Sequence, residues 1–228
     1  MPFVSILGDS ISTYEGFNPQ QCQVYYDIPT QQHNGLTSVY DTWWAKVNQA
    51  LRAYLCVNNA WSGSTVTGTD ASSARSLHRT GALHTAAYTP DLILIYIGFN
   101  DFAKGIPIWT AETRLACPDP RLFAESYATM LQRIRERYPR ATIVCATLMR
   151  TCIRGNPGWK FPETFGGEQL EAYNRAIRHI CRTENVLLAD LANTGLRYET
   201  LDGSHPTKDG HHTLYTAWAY CLSDLGLL

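Results

Sequence analysis

Two short clusters near opposite ends of the 228-residue chain carry residue types that together can perform nucleophilic acyl transfer. The first is Gly8-Asp9-Ser10-Ile11-Ser12, directly after the apolar run Phe3 to Leu7. A serine at the turn leaving a strand has its hydroxyl exposed at the sheet edge, and the glycine permits a tight backbone there. Alone, these residues also read as a helix cap supplied by Asp9 or Ser10. The second cluster is Asp202-Gly203-Ser204-His205-Pro206. A local turn can bring the Asp202 carboxylate to the His205 imidazole, fix one tautomer and leave the other ring nitrogen free to take a serine proton. Pro206 disfavours a helical conformation at His205, which keeps the imidazole in a loop ahead of the last helix. Alone, this pair reads more simply as an Asp-Gly turn beside a surface histidine.

Two further clusters shift that balance. Asn58-Asn59-Ala60-Trp61-Ser62-Gly63 and Gly98-Phe99-Asn100-Asp101 each follow an apolar run. They offer groups that can stabilise an oxyanion, namely the backbone N–H of Gly63 and the side-chain amide of Asn100. Either cluster by itself is a turn, since Gly and Asn favour turns. Asp9 and Asp101 are expected to brace the active-site turns without performing the chemistry. His211-His212 lacks a third ligand spaced to join it, so no metal is expected, and His33, His78, His84 and His179 read as surface or hydrogen-bonded residues.

These clusters need elements to position them. Continuous apolar runs at Phe3 to Leu7, Tyr54 to Val57, Leu92 to Ile97, Ala141 to Ala146 and Val186 to Leu191 suit strands buried on both faces of a parallel sheet. Helical patterns lie between them, over Thr42 to Leu51, Pro120 to Tyr138, Glu168 to Thr183 and Thr207 to Leu222, the last started by Pro206. Strands alternating with helices predict a three-layer α/β/α sandwich. With no linker, repeat or low-complexity tract, residues 1–228 read as one domain. Three long loops, Ser12 to Asp41, Phe102 to Asp119 and Met149 to Gly167, follow strands and should emerge on the side where α/β proteins bind ligands.

The four clusters, in their order and their positions after successive strands, resemble the SGNH (GDSL-type) hydrolase family, named for the Ser, Gly, Asn and His of its four blocks. The blocks here are Gly8-Asp9-Ser10, with Ile11 where the family often has leucine; Gly63; Gly98-Phe99-Asn100-Asp101; and Asp202 to His205. Ala60 stands where many members have glycine. The resemblance spans essentially the whole chain and implies a flavodoxin-like five-stranded parallel sheet of order 2-1-3-4-5. It further implies Ser10 as nucleophile, His205 as base, Asp202 as its orienting residue, and an oxyanion hole of the Ser10 and Gly63 N–H groups with the Asn100 amide.

Composition narrows the rest. A net charge of −1 and a pI near 6.6 argue against a polyanion-binding surface, so nucleic acid is not an expected partner. No run approaches the ~20 apolar residues of a membrane span. The start lacks a signal-peptide pattern, so a reducing cytoplasm is the expected compartment. Most of the seven cysteines lie in apolar or helical stretches as small hydrophobes, while Cys117 and Cys152 sit in loops where they could pair.

The expected reaction is hydrolysis of an ester through an acyl-enzyme, with no cofactor. The loops carry Tyr14, Phe17, Tyr25, Tyr26, Tyr40, Trp109, Trp159, Phe161 and Phe165 among Asn18, Gln20, Gln21, Gln31, Gln32, Asn34 and Asn156; Trp43 and Trp44 are read as core. Aromatic faces beside amides favour a short, acetyl-type ester of a carbohydrate or similar polar alcohol. The expected partner is therefore a small-molecule or oligosaccharide ester substrate. Lysophospholipase or thioesterase activity, a glycan-binding module that does not turn over, and a flavin-binding electron carrier are the alternatives; the last leaves Asp202 and His205 without a role.

Overall fold

The five apolar runs form strands at β1 (Phe3–Gly8), β2 (Tyr54–Ala60), β3 (Leu92–Tyr96), β4 (Thr142–Ala146) and β6 (Leu187–Ala189), and two further short strands, β5 (Thr151–Ile153) and β7 (Tyr198–Thr200), lie outside those runs. The structure, a computed structural model, describes residues 1–109 and 118–228. β1, β2, β3, β4 and β6 make one parallel sheet in the order β2-β1-β3-β4-β6, so the predicted fifth strand is β6 and the predicted order holds. Every residue of β3 is buried, as expected of a central strand covered on both faces.

The helices are α1 (Ile28–His33), α2 (Trp43–Ala50), α3 (Leu77–Thr80), α4 (Phe99–Ala103), α5 (Phe123–Arg137), α6 (Leu170–Thr183) and α7 (Lys208–Asp224). On one face of the sheet α2 packs against α7; on the other α5 packs against α6 and α3. The α2–α7 contact centres on the parallel rings of Trp43 and Trp218, 5.2 Å apart and tilted by 4°. Trp43 and Trp44 are core, as their position at a helix start suggested.

Two local readings need correction. The segment Met149 to Gly167 is not wholly loop, because β5 pairs in parallel with β7 as a separate two-stranded sheet. Strands of three residues are too short to show a period-2 pattern. The last helix is started by Thr207, whose hydroxyl accepts the N–H of Gly210, while Pro206 bridges back to Thr200 outside it. The pairing considered for Cys117 with Cys152 falls outside the described residues. Among the described residues no helix is long and apolar enough to cross a membrane.

Candidate active site

The sheet register sets the site. Gly8 at the end of β1 lies level with Ala60 of β2 on one side and Tyr96 of β3 on the other. The chain therefore leaves three neighbouring strands at one level, and Ser10, Gly63 and Asn100 follow within a few residues. Gly8 tolerates no side chain, since a Cβ there would lie 2.7 Å from Ser12 Oγ and 3.2 Å from the Tyr96 carbonyl oxygen. Ser10 heads a short 3-10 turn that Asp9 caps by accepting the Ile11 N–H at 3.1 Å. The cap reading thus holds, while Ser10, expected to be exposed at the sheet edge, is largely buried in that turn.

From the far end of the chain, Asp202 and His205 reach the same point. His205 Nε2 is 2.9 Å from Ser10 Oγ, and His205 Nδ1 is 2.6 Å from Asp202 Oδ2. A carboxylate partner makes Nδ1 the protonated nitrogen, so Nε2 faces the Ser10 hydroxyl as acceptor. Asp202 Oδ1 accepts the N–H groups of Ser204 and His205, both at 2.8 Å. Partial burial works against the Asp202 charge, but the bond to His205, the attraction of its ring and the two amides outweigh it. The carboxyl is held well below the usual carboxylate range.

The expected oxyanion donors Gly63 and Asn100 stand on the segments that leave β2 and β3 at the level of Gly8. Gly63 adopts φ +76°, a conformation that favours glycine, within a turn closed by Ser64 N–H to the Trp61 carbonyl at 3.1 Å. Neither the Ser10 nor the Gly63 N–H donates to a backbone carbonyl among the described residues. The Asn100 amide donates one hydrogen to Ser64 O at 2.9 Å, which leaves its second hydrogen available. Asn100 thus also ties the loop after β3 to the loop after β2. Lys104 Nζ stands 3.5 Å from Gly63 O at the same rim.

Below this layer are buried charges. Asp101 accepts from Val66 N–H at 2.8 Å, Thr67 N–H at 3.1 Å and Thr67 Oγ1 at 2.8 Å. Burial outweighs these donors and pushes its carboxyl up to about 6, while burial takes Asp9 up to about 7 against the Ile11 N–H. Nothing in the local sequence marks Arg79 as part of the site. It is fully buried and donates to Gly8 O at 2.9 Å, Asn59 O at 2.7 Å, Ser64 Oγ at 2.9 Å and Ser72 O at 2.6 Å. Burial lowers its guanidinium to about 10.

The loop aromatics divide. Tyr25 lies on the His205 ring, with centroids 3.4 Å apart and planes 9° apart, and donates its hydroxyl to Asp202 Oδ2 at 3.1 Å. Tyr26 is buried with its hydroxyl on the Pro206 carbonyl. Trp159 packs edge-on against Phe161 and approaches Gly203, while Trp109 packs edge-on against His179 of α6. Three of the amides counted with these rings are internal braces: Asn18 donates to the Asn58 and Ala60 carbonyls, Gln31 to Tyr26 O and Asn34 to Thr30 O. His211 is buried, pushed down to about 3 by that burial, and accepts the Trp43 N–H through Nδ1, whereas His212 is exposed. Among the described residues no group of three His, Cys, Asp or Glu is placed to hold a metal ion.

Comparisons with known proteins bear on the family and the fold. The family model described as GDSL-like Lipase/Acylhydrolase matches residues 2–217. A solved chain from Bacteroides ovatus, described as a GDSL-like lipase, is 28% identical, with 98% of this chain and 99% of that one covered and a TM-score of 0.76. One from Bacteroides uniformis, described in the same way, is 27% identical over 98% and 96% of the two chains, with a TM-score of 0.74. An active-site mutant of a family two carbohydrate esterase from Clostridium thermocellum is 19% identical over 100% of this chain and 65% of that one, at TM-score 0.58, a likeness of fold alone. No curated protein matches the chain.

Proposed function

The chain belongs to the GDSL-like lipase/acylhydrolase family, and from that premise we propose that it is a serine ester hydrolase with Ser10 as nucleophile, His205 as general base and Asp202 as its orienting residue. The observation that carries the reading is the unbroken line from Asp202 Oδ2 through both nitrogens of His205 to Ser10 Oγ. His205 Nε2 takes the Ser10 proton as Oγ attacks the ester carbonyl, and the imidazolium is stabilised by Asp202. The oxyanion is received by the N–H groups of Ser10 and Gly63 and by the free amide hydrogen of Asn100. His205 returns its proton to the departing alcohol; a water then repeats the sequence on the acyl-enzyme and frees the acid and Ser10.

The substrate in this reading is a short-chain ester, acetyl first, of a carbohydrate or similar polar alcohol. Its support is the chemistry of the rim, where Tyr25, Ser62, Asn100 and Lys104 are at least partly exposed on the loops after β1, β2 and β3. Hydroxyl, amide and ammonium groups there suit a polyhydroxylated alcohol better than a long acyl chain. A carbohydrate esterase carried on the same fold fits this reading. A reducing cytoplasm is the compartment it expects, with the thiols of Cys22, Cys145, Cys181 and Cys221 buried as small hydrophobes.

The test compares p-nitrophenyl acetate, octanoate and palmitate, each beside a Ser10→Ala control, and then measures acetate release from acetylated oligosaccharides. Turnover should be fastest on acetate and absent in the control. Faster turnover of palmitate moves the enzyme to the lysophospholipase class, and failure to release acetate from any acetylated sugar removes the carbohydrate assignment. Absence of turnover on every ester leaves a binding module.

A further inference from the structure

Tyr25 touches both members of the acid–base pair. Its ring covers one face of the His205 imidazole at a centroid separation of 3.4 Å and an interplanar angle of 9°. Its hydroxyl donates at 3.1 Å to Asp202 Oδ2, the same oxygen that receives His205 Nδ1–H at 2.6 Å. Two contacts on two different groups fix more than either alone. The stack blocks rotation of the imidazole out of its plane, and the hydroxyl opposes rotation of the carboxylate.

The backbone around Tyr25 is anchored to the rest of the site. Tyr25 N–H donates at 3.0 Å to Thr13 Oγ1, and that hydroxyl donates at 2.9 Å to the carbonyl of Ser10. Two residues earlier, the Gln23 carbonyl accepts the N–H of Ser62 at 2.8 Å, in the turn that carries Gly63. The edge of the Tyr26 ring, 4.9 Å away at 84°, backs the Tyr25 ring. A segment of four residues thus ties the nucleophile turn, the Gly63 turn and the acid–base pair together, although it lies in a long irregular loop.

We propose that Tyr25 is a positioning residue for the ester hydrolysis assigned above, its ring setting the plane of His205 and its hydroxyl setting the Asp202 carboxylate that orients it. This deepens the proposed function and rests on that reading of Ser10, His205 and Asp202. The electron-rich ring face also favours the imidazolium, so the stack stabilises the charge that His205 acquires when Ser10 attacks. The hydroxyl competes with Nδ1–H for Oδ2, so removing it strengthens the remaining bond. Burial and the adjacent Asp202 carboxylate push the Tyr25 hydroxyl up to about 12, which keeps it protonated as a donor to Oδ2.

The two contacts are separated by Tyr25→Phe, which keeps the ring, and Tyr25→Leu, which removes both. On p-nitrophenyl acetate, Tyr25→Leu should lower kcat by roughly 10–100-fold with KM little changed, the expected cost of losing alignment of a catalytic group. Tyr25→Phe should restore most of that loss. In proton NMR of the free enzyme, the downfield Nδ1–H resonance of His205, identified by its absence in His205→Ala, should move further downfield in Tyr25→Phe. A Tyr25→Leu enzyme with native kcat, or one altered only in KM, overturns the proposal, as does an unmoved resonance in Tyr25→Phe. Should Tyr25→Leu fail to fold by near-UV circular dichroism, the Tyr25→Phe resonance decides. Full activity in Ser10→Ala or His205→Ala would instead overturn the proposed function, while the resonance shift still reports whether Tyr25 acts on Asp202.

Discussion

The buried guanidinium of Arg79 donates at 2.9 Å to the carbonyl of Gly8, two residues before Ser10. It also holds Asn59 and Ser64, which flank the turn carrying Gly63. One cation therefore sets the spacing between two of the loops that converge on the site. Replacing it removes several buried hydrogen bonds from a charged donor, each worth about 1.5–3 kcal/mol, although Gly8 O keeps the Trp61 N–H and Ser72 O keeps the Ser64 hydroxyl. Arg79→Met should destabilise the protein by at least about 3 kcal/mol in urea unfolding. Arg79→Lys, which keeps the charge but not the fork of donors, should fall between. A stability loss below about 1 kcal/mol, the usual range of a surface change, would contradict this bracing role.

Ser10→Ala and His205→Ala should each remove nearly all turnover while leaving thermal unfolding close to native. A nucleophile and its base act as one unit, so the double variant should be little worse than either single one. Multiplicative losses in kcat would show that the two residues act in separate steps. A fluorophosphonate probe followed by peptide mapping should modify Ser10 and no other serine.

Asn100→Ala should lower kcat by roughly 10²–10³, the usual effect of removing one oxyanion donor. KM should change little, because the negative charge develops only in the transition state. A raised KM at constant kcat would make Asn100 a substrate-positioning residue acting through its link to Ser64.

Asp9 supplies a pH dependence whose direction is set by its burial. Its carboxyl is pushed up to about 7 in the folded protein, against about 3.9 for an ordinary aspartate. Between those values the folded protein holds a proton that the unfolded chain has released. The Asp9 contribution is therefore full below about pH 4 and is lost as pH rises toward 7. Asparagine mimics the protonated form and keeps an oxygen for the Ile11 N–H. Asp9→Asn should match the native protein in chemical denaturation at pH 4 and exceed it by about 1 kcal/mol or more at pH 8. Equal stabilities at both pH values would count against a raised carboxyl.

The core sheet was readable because its strands are fully buried and therefore continuously apolar; Leu92 to Ile97 has no polar face to confuse with a helix. The Asp202–His205 pair was readable because its geometry is local, a turn of four residues. What could not be read depends on distant partners. β5 and β7 pair across an intervening helix and strand, and neither is long enough to carry a pattern. Arg79 is buried only because Gly8, Asn59, Ser64 and Ser72 gather acceptors around it, and no local signal marks a charged residue for such a place. The loop amides misled for the same reason: Asn18, Gln31 and Asn34 have the composition of a binding surface but satisfy backbone groups inside the fold.

Ser10 and His205 meet across a sequence separation of 195 residues, and β1, which presents Ser10, lies between β2 and β3 in the sheet. In the proposed enzyme Ser10 is therefore synthesised 195 residues before His205. Until Asp202 and His205 have left the exit tunnel, Ser10 is an ordinary hydroxyl, whatever sheet has already formed around it. On the proposed assignment, esterase activity cannot precede docking of the Asp202–His205 turn, so its onset during refolding becomes a direct clock for closure of the fold.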